Sequence, residues 1–465
     1  MRCAAAFAHD AGMNNPGTRV STGLKAAWGL GSVGTVTVLT VNSLMLLFFM
    51  TSVLGLSPAL AGSLLFGAKL IDAIAAPVLG GISDSWKGPM GRRAPFLLAG
   101  AFVSAAGVAL VFNPPVAADT MLPVWILGCL IVIALGYTLF NVPYMAMPAE
   151  MTDLPVERTS IMSWRIAFVS IGGLITGLAP QAATQFGGGR TGFGVVGFIL
   201  AAVILVAMLS AFAAARRTRQ VAGGAQAGGF KRYLVVVQNR PFMLIIAAKV
   251  CQLVGLASLT ASILFLMKNV LLQPESTVGL YVTASTVAML TLMPVWVWLG
   301  KYFSKRTLYI VSCLLFACLT SSWLLAGPNE PLPLILLRGF LSGTFSGGLL
   351  LMGQSLLPDA IDADCKRSGI RREGVYAGAY SFVEKASMAF GPLLIGLILQ
   401  AFHFKPSLGK AVAQPAEALT GIYIGVAIVP ALLYAVSIIP LLYFRLDADE
   451  PAPVVNSAGT PAVAE

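Results

Sequence analysis

Seven charged residues stand inside long apolar runs of this chain: Lys69, Asp72, Arg165, Lys249, Arg338, Glu384 and Lys385. If those runs cross a bilayer, a charge near the hydrocarbon centre costs about 2.5 to 3.5 kcal/mol, so each is expected to face a cavity or a partner. A buried carboxylate there can take up a proton or hold a cation, and buried ammonium or guanidinium groups can hold an anion. Lys69 and Asp72 are three apart, hence on one helical face. They could simply neutralise each other, or Asp72 could serve a cavity as an ion or proton site. Lys249 and Arg338 lie close enough to the ends of their runs to snorkel, the reading favoured for Arg338. Glu384 and Lys385 are adjacent and must point to different faces of one helix.

The elements that would position these residues follow from composition. The chain has 465 residues, 57% apolar and only 11% charged, with mean hydropathy +0.84. A soluble domain carries roughly 25% charged residues, so water is not the expected solvent. Apolar runs bounded by charge, Pro or Gly predict spans at 27–53, 57–82, 94–113, 121–147, 160–184, 192–215, 241–267, 277–300, 307–326, 332–356, 375–401 and 419–444. Twelve such runs in succession predict an all-α membrane protein and leave no room for a sizeable soluble domain. The first twenty residues lack an apolar stretch, so no cleaved leader is expected.

The net charge of +11 would suggest nucleic acid in a soluble protein, but the basic residues are distributed as a membrane protein distributes them. With both termini placed in the cytoplasm, the opposite loops hold only Arg190, Lys268, Lys405 and Lys410. Lys69, Arg165, Lys249, Arg338 and Lys385 fall inside spans, and the rest of the 30 basic residues lie on the side of the termini. That asymmetry predicts cytoplasmic ends and an inner-membrane location. The expected partners are membrane lipid and a small-molecule substrate, with no nucleic acid and a monomeric chain.

The chain also divides and repeats. Its expected parts are a tail at 1–26, a six-span bundle at 27–215, a linker at 216–240 rich in Gly, Ala and basic residues, a second six-span bundle at 241–444 and a tail at 445–465. After span 4 the chain reads MPAEMTD (Met147–Asp153), and after span 10 it reads LLPDAID (Leu356–Asp362). Each motif has Pro, an acid and then Asp three residues on, and each precedes a span with a buried cation, Arg165 or Lys385. Repeated halves of this kind are how many carriers place a solute site between two rocking bundles. The acid pairs Glu150/Asp153 and Asp359/Asp362 could instead be catalytic, as in a lipid-modifying enzyme, but their recurrence in both halves fits a bundle-end brace better. A non-transporting sensor on the same scaffold is the third reading.

The loop from Gly80 to Phe96, GGISDSWKGPMGRRAPF, joins spans 2 and 3. Asp84 with Gly91, Arg92 and Arg93 could latch one face of the bundle, the glycines allowing close helix approach. The arginines alone would also be explained as membrane anchors. The six cysteines show no metal spacing, and His9 and His403 lie outside the apolar cores. Neither a metal site nor a cofactor nor a catalytic cluster is expected.

Several ordered segments go further: TSVLGLSPALAG (Thr51–Gly62), AKLIDAIAAPVLGGISD (Ala68–Asp84), YTLFNVPYMAMPAEMTD (Tyr137–Asp153) with ERT (Glu157–Thr159), SLLPDAIDAD (Ser355–Asp364) and RREGVYAGAYSFVEKASMAFGP (Arg371–Pro392). As a set they resemble the glycoside/pentoside/hexuronide:cation symporter family of the major facilitator superfamily, the melibiose permease-like carriers. The resemblance covers nearly the whole chain. It implies two pseudo-symmetric six-helix bundles in the major facilitator fold, alternating access, and symport of a glycoside, uronide or related solute. It also implies a coupling-cation site of span 2 acids with a Thr and an Asp of span 4 and the span 11 Lys, beside a solute site of polar residues from spans 1, 4, 5 and 11. By position, Asp72 matches the first span 2 acid, Thr138 the span 4 Thr, Arg165 the span 5 Arg and Lys385 the span 11 Lys.

The departures change the expected electrostatics. Ala76 stands where the second span 2 acid is expected, Asn141 at the span 4 acid, and Val36 near the sugar-binding Asp of span 1. Sodium wants several oxygen ligands with negative charge, whereas a proton needs one acceptor, so the single acid Asp72 suits H+ better than Na+. The expected coupling residues are Asp72, Thr138, Asn141 and Lys385, and the expected solute contacts are Trp28, Tyr137, Arg165, Ser381 and Lys385. Lys69, Arg165 and Lys385 outnumber Asp72, which favours an anionic solute such as a uronide. A neutral glycoside stacked on Trp28 or Tyr137 is the competing expectation.

Overall fold

The computed structural model describes residues 20–86, 88–115, 121–152, 154–217, 236–237, 239–274, 276–368, 373–408 and 412–444. Among them every regular element is helical. Twelve helices are long and apolar enough to cross a membrane: α1 Thr22–Ser52, α2 Pro58–Ser83, α3 Ala94–Phe112, α4 Leu122–Pro148, α5 Ser160–Gln185, α6 Gly189–Ala215, α7 Arg240–Val270, α8 Ser276–Leu299, α9 Lys305–Leu325, α10 Leu332–Ile361, α11 Gly378–Ala401 and α12 Ala416–Tyr443. Hydrocarbon offers no hydrogen bonds, so a spanning chain must satisfy its backbone internally, and the helix does this within one segment. The chain is a multi-pass membrane protein.

The helices overrun several of the boundaries expected from hydropathy. The first begins at Thr22 because Ser21 caps it, its hydroxyl accepting from the Leu24 amide. The fourth continues to Met151 and the tenth to Ser368. The PAEM and PDAID segments, expected to follow spans 4 and 10, are therefore the last turns of helices. Hydropathy marks where hydrocarbon ends, and a helix can continue beyond it into water. Lys305 at the start of α9 pairs with Asp359 of α10 at 2.7 Å, a partly exposed brace at the bundle end.

Packing follows a two-fold repeat. In the first half α1 packs on α5 and α6, α3 on α4 and α6, and α2 on α4. In the second half α7 packs on α11 and α12, α9 on α10 and α12, and α8 on α10. Each pair in one half has its counterpart six helices later. The halves meet through α2 with α11 and α5 with α8, which again exchange under the same rule, and through α1 with its own counterpart α7.

Contacts between the halves cluster at the end remote from the linker. There Phe48 of α1 meets Phe265 of α7 edge-on at 5.3 Å, and Phe66 of α2 meets Phe390 of α11 at 4.9 Å. The Ser407 amide donates to the Thr51 carbonyl at 3.0 Å, and its hydroxyl donates to the Ser52 carbonyl at 2.7 Å. A methyl group on Gly62 would lie 2.7 Å from the Pro392 carbonyl oxygen, so only glycine lets α2 and α11 approach this closely.

One expected surface residue is buried instead. Arg338 does not snorkel: it is 6% exposed, and its Nη1 donates to both Glu330 carboxylate oxygens at 2.6 Å. Its Nε and Nη2 bond the Ser322 hydroxyl and carbonyl at 3.0 and 3.1 Å, and its guanidinium covers the Trp323 ring. The acid that makes this possible sits in the α9–α10 connection, outside any apolar run.

Candidate functional site

Near the middle of the bundle three helices converge, α2 and α4 from one half and α11 from the other. The Asp72 carboxylate accepts a hydrogen bond from the Thr138 hydroxyl and another from Lys385 Nζ at 2.9 Å. Thr138 is fully buried, and the Asp72 and Lys385 side chains are only 13% and 17% exposed, so the pair acts in a low-dielectric setting. The Lys385 ammonium also lies 5.6 Å above the centre of the Tyr137 ring, a cation–π contact. Asp72, Thr138, Tyr137 and Lys385 thus form one cluster that ties the two halves together.

The expectation that Lys69 neutralises Asp72 locally gives way here. Asp72 is taken by Lys385 across the halves, and among the described residues no ion pair joins it to Lys69. Lys69 stays within electrostatic reach of both Asp72 and Lys385 as an additional cation. Asn141, one turn beyond Thr138 on α4, is half-buried and accepts or donates no hydrogen bond among the described residues. Ala76 lies one turn beyond Asp72 and presents only a methyl group.

The expected solute contacts are distributed unevenly. Arg165 of α5 is half-buried and lies within electrostatic reach of Tyr137 and Glu384. Its Nε is buried with no hydrogen-bond acceptor among the described residues. Ser381 is exposed on α11, one turn before Lys385 and so on the same helix face. Trp28 does not reach a cavity. It is 0% exposed and its ring stacks on Tyr144 of α4 at 4.7 Å and 18°. The Tyr144 hydroxyl donates to the Trp28 carbonyl at 2.9 Å and meets the Ser32 hydroxyl at 2.6 Å. With its face covered by Tyr144, Trp28 ties α1 to α4 and offers nothing to stack a sugar on.

Of the expected latch, the Asp84 side chain lies outside the described residues. Arg93 Nη1 donates to the Pro143 carbonyl of α4 at 3.1 Å, within its own half. Gly91 is buried with φ +87°, a left-handed conformation that costs a glycine nothing, and it turns the chain into α3. Arg92 is half-buried beside it, with its Nε enclosed.

Sequence reasoning gave too little weight to the second half. Lys249, read as able to snorkel, is 6% exposed within α7 and stands 5.5 Å over the Tyr309 ring. One turn on, buried Gln252 accepts from the Tyr309 hydroxyl at 2.7 Å and donates to Cys313 Sγ at 3.2 Å. A Lys and a Gln three apart in an apolar run, both on one face, were the available signal. Glu384 is half-buried, with Lys249, Lys385 and Arg165 acting on it electrostatically.

Twelve spanning helices in two matched halves, with a carboxylate of one half paired to an ammonium of the other, define a polytopic carrier. The chain belongs to the MFS/sugar transport protein family, whose model matches residues 27–448. It is 27% identical to a putative glycoside/cation symporter of Escherichia coli over 91% of each chain. It is 26% identical to a putative sulfoquinovose importer of the same species over 83% of each chain. A solved structure described under substrate recognition in proton-dependent oligopeptide transporters shares the fold, with TM-score 0.65, 14% identity and coverage of 91% of this chain and 98% of that one.

Proposed function

We propose that the chain is a proton-driven symporter of a small organic solute that bears an acid group on a sugar-like body. It works in the inner membrane with both termini in the cytoplasm, as a monomer and without catalytic chemistry of its own. The carrying observation is the Asp72–Lys385 pair, one carboxylate bridging the halves with Ala76 and Asn141 at the positions where further acids would serve sodium. When Asp72 takes up a proton it ceases to be a counter-charge for Lys385, the bridge between α2 and α11 weakens, and the halves can rock about the site. Arg165 and Lys385 then hold the solute. Thr138 keeps the Asp72 carboxylate in place on the α4 side.

Charge supports an acid group on the solute. Lys69, Arg165, Lys249 and Lys385 outnumber Asp72 and Glu384, and cations in a water-poor cavity favour anions. The name of the sulfoquinovose importer points the same way, since sulfoquinovose is a sugar with a sulfonate group. A neutral glycoside is the second reading, favoured by the name of the glycoside/cation symporter and by the exposed hydroxyl of Ser381 on the Lys385 face. The distribution of basic residues supports the orientation.

The test uses the full chain in proteoliposomes with a proton or a sodium gradient imposed in turn, against uronates, sulfonated sugars and neutral glycosides. Proton-driven accumulation of an acidic sugar is expected. Accumulation that runs on sodium alone refutes the proton assignment, and absence of uptake for the whole panel favours a sensor on the same scaffold.

A further inference from the structure

At the end remote from the linker, the seam between the halves holds a cavity of about 380 Å³, within the size range of small-molecule sites. Ser52 of α1 forms one wall, and Lys268 and Leu272 at the end of α7, Phe404 of the α11–α12 connection and Leu419 of α12 form others. No acid is among the described residues that line it. The Lys268 ammonium lies 5.1 Å over the Phe48 ring of α1, so this cation stands on the seam itself. Phe404 is buried edge-on against Phe265 at 5.4 Å, which fixes the apolar wall.

Leu272 has a backbone that its side chain disfavours. The ends of α1 and α7, which exchange under the two-fold repeat, close alike: the Leu56 amide donates to the Met50 carbonyl and the Gln273 amide to the Met267 carbonyl, each at 2.9 Å. The residue before each donor is left-handed, Gly55 with φ +78° and Leu272 with φ +51°. Glycine adopts that conformation freely, whereas a leucine there crowds its Cβ against the following carbonyl. Such strain persists where surrounding structure holds it, and it gathers at ligand clamps. Leu272 is 60% exposed, so core packing does not offset the strain, and its place is on the cavity wall.

We propose that this cavity is a second ligand site, separate from the Asp72–Lys385 cluster, for a small molecule that joins an acid group to an apolar body, as an aryl uronide does. The acid group meets Lys268, and the apolar body lies against Leu272, Phe404 and Leu419. Charge complementarity selects the acid, since a cation without an acid on the cavity wall favours an anion. Because the walls come from both halves, the site is complete only while this end is closed. An occupant that binds one state shifts the equilibrium toward it, so a ligand here holds this end of the carrier shut.

The experiment places Ala413→Cys on the cavity wall of the purified full chain in detergent and follows its reaction with N-ethylmaleimide, the chain without that substitution serving as blank. Phenyl glucuronide is the probe, phenyl glucoside lacks its acid, and D-glucuronate lacks its apolar body. Phenyl glucuronide is expected to protect the thiol, and the other two to need concentrations about tenfold higher or more. Leu272→Gly and Lys268→Gln should each raise the half-protecting concentration of phenyl glucuronide about tenfold. Leu272→Gly relieves the backbone, so it should melt no earlier than the parent, and its lost protection then reports the missing contact. A response to the probe that came only from the Asp72–Lys385 cluster would survive Leu272→Gly unchanged, and that result overturns the proposal. Absence of protection, or equal protection by all three probes, overturns it too. If Lys268→Gln melts early, Lys268→Arg decides: the same charge without protection overturns the site. Labelling needs no transport, so a failure here leaves the symporter reading standing, and failed uptake leaves this site standing.

Discussion

Thr138, Asp72 and Lys385 form a short chain of hydrogen bonds through three helices, and the energetics of a buried pair make it testable residue by residue. Breaking such a pair on one side leaves an uncompensated charge and costs about 3–5 kcal/mol, whereas replacing both partners by apolar groups is often nearly neutral. Asp72→Leu and Lys385→Met are each expected to lower the melting temperature in detergent more than the double variant does, and melting curves of the four proteins check this. The Glu330–Arg338 pair should behave alike, Arg338→Met losing about 3–5 kcal/mol of stability while solute exchange in proteoliposomes keeps its ion dependence. A charged letter in an apolar run carries its own signal, so Asp72, Arg165 and Lys385 are legible in the sequence by themselves. Trp28 is not, because an aromatic letter in a span reports bulk and says nothing of which neighbour covers its face. Lys249 is easily discounted for lying near the end of a run, although burial depends on the helices packed around it.

Helices rather than residues explain why the halves can separate. The α2–α11 crossing depends on Gly62 having no side chain, so Gly62→Leu should wedge the end remote from the linker open. Thiol labelling of single cysteines placed at that end should speed up in the variant, and unchanged labelling would show that this crossing does not set the closure. The Lys305–Asp359 brace is partly exposed, and such pairs are worth about 0–1 kcal/mol. Asp359→Asn should therefore shift stability by no more than that, which melting curves can read. At this scale the number of spans is legible because hydrocarbon demands about 20 apolar residues of each crossing. Helix ends are less so: the turns at Pro148–Met151 and Pro358–Ser368 are helical without being apolar, and hydropathy cannot see them.

For the whole molecule, matched packing in the two halves and their contact through α1 with α7, α2 with α11 and α5 with α8 describe two bundles that touch along an axis. The repeated acid motifs hint at this symmetry, but which helices join the halves depends on tertiary contacts that no single run encodes. Seats such as Ser407 on the Thr51 and Ser52 carbonyls hold the end remote from the linker shut. A Ser52→Cys/Ser407→Cys pair should trap that closure when oxidised, stopping solute exchange until a reductant is added. The central claim is that opening is tied to the charge on Asp72. The most direct measurement follows, in proteoliposomes holding either the wild type or Asp72→Asn, both accumulation of an acidic sugar under a proton gradient and its one-for-one exchange without any gradient. The expected result is a variant that exchanges the solute and no longer accumulates it. Accumulation by Asp72→Asn at the wild-type level would contradict the account.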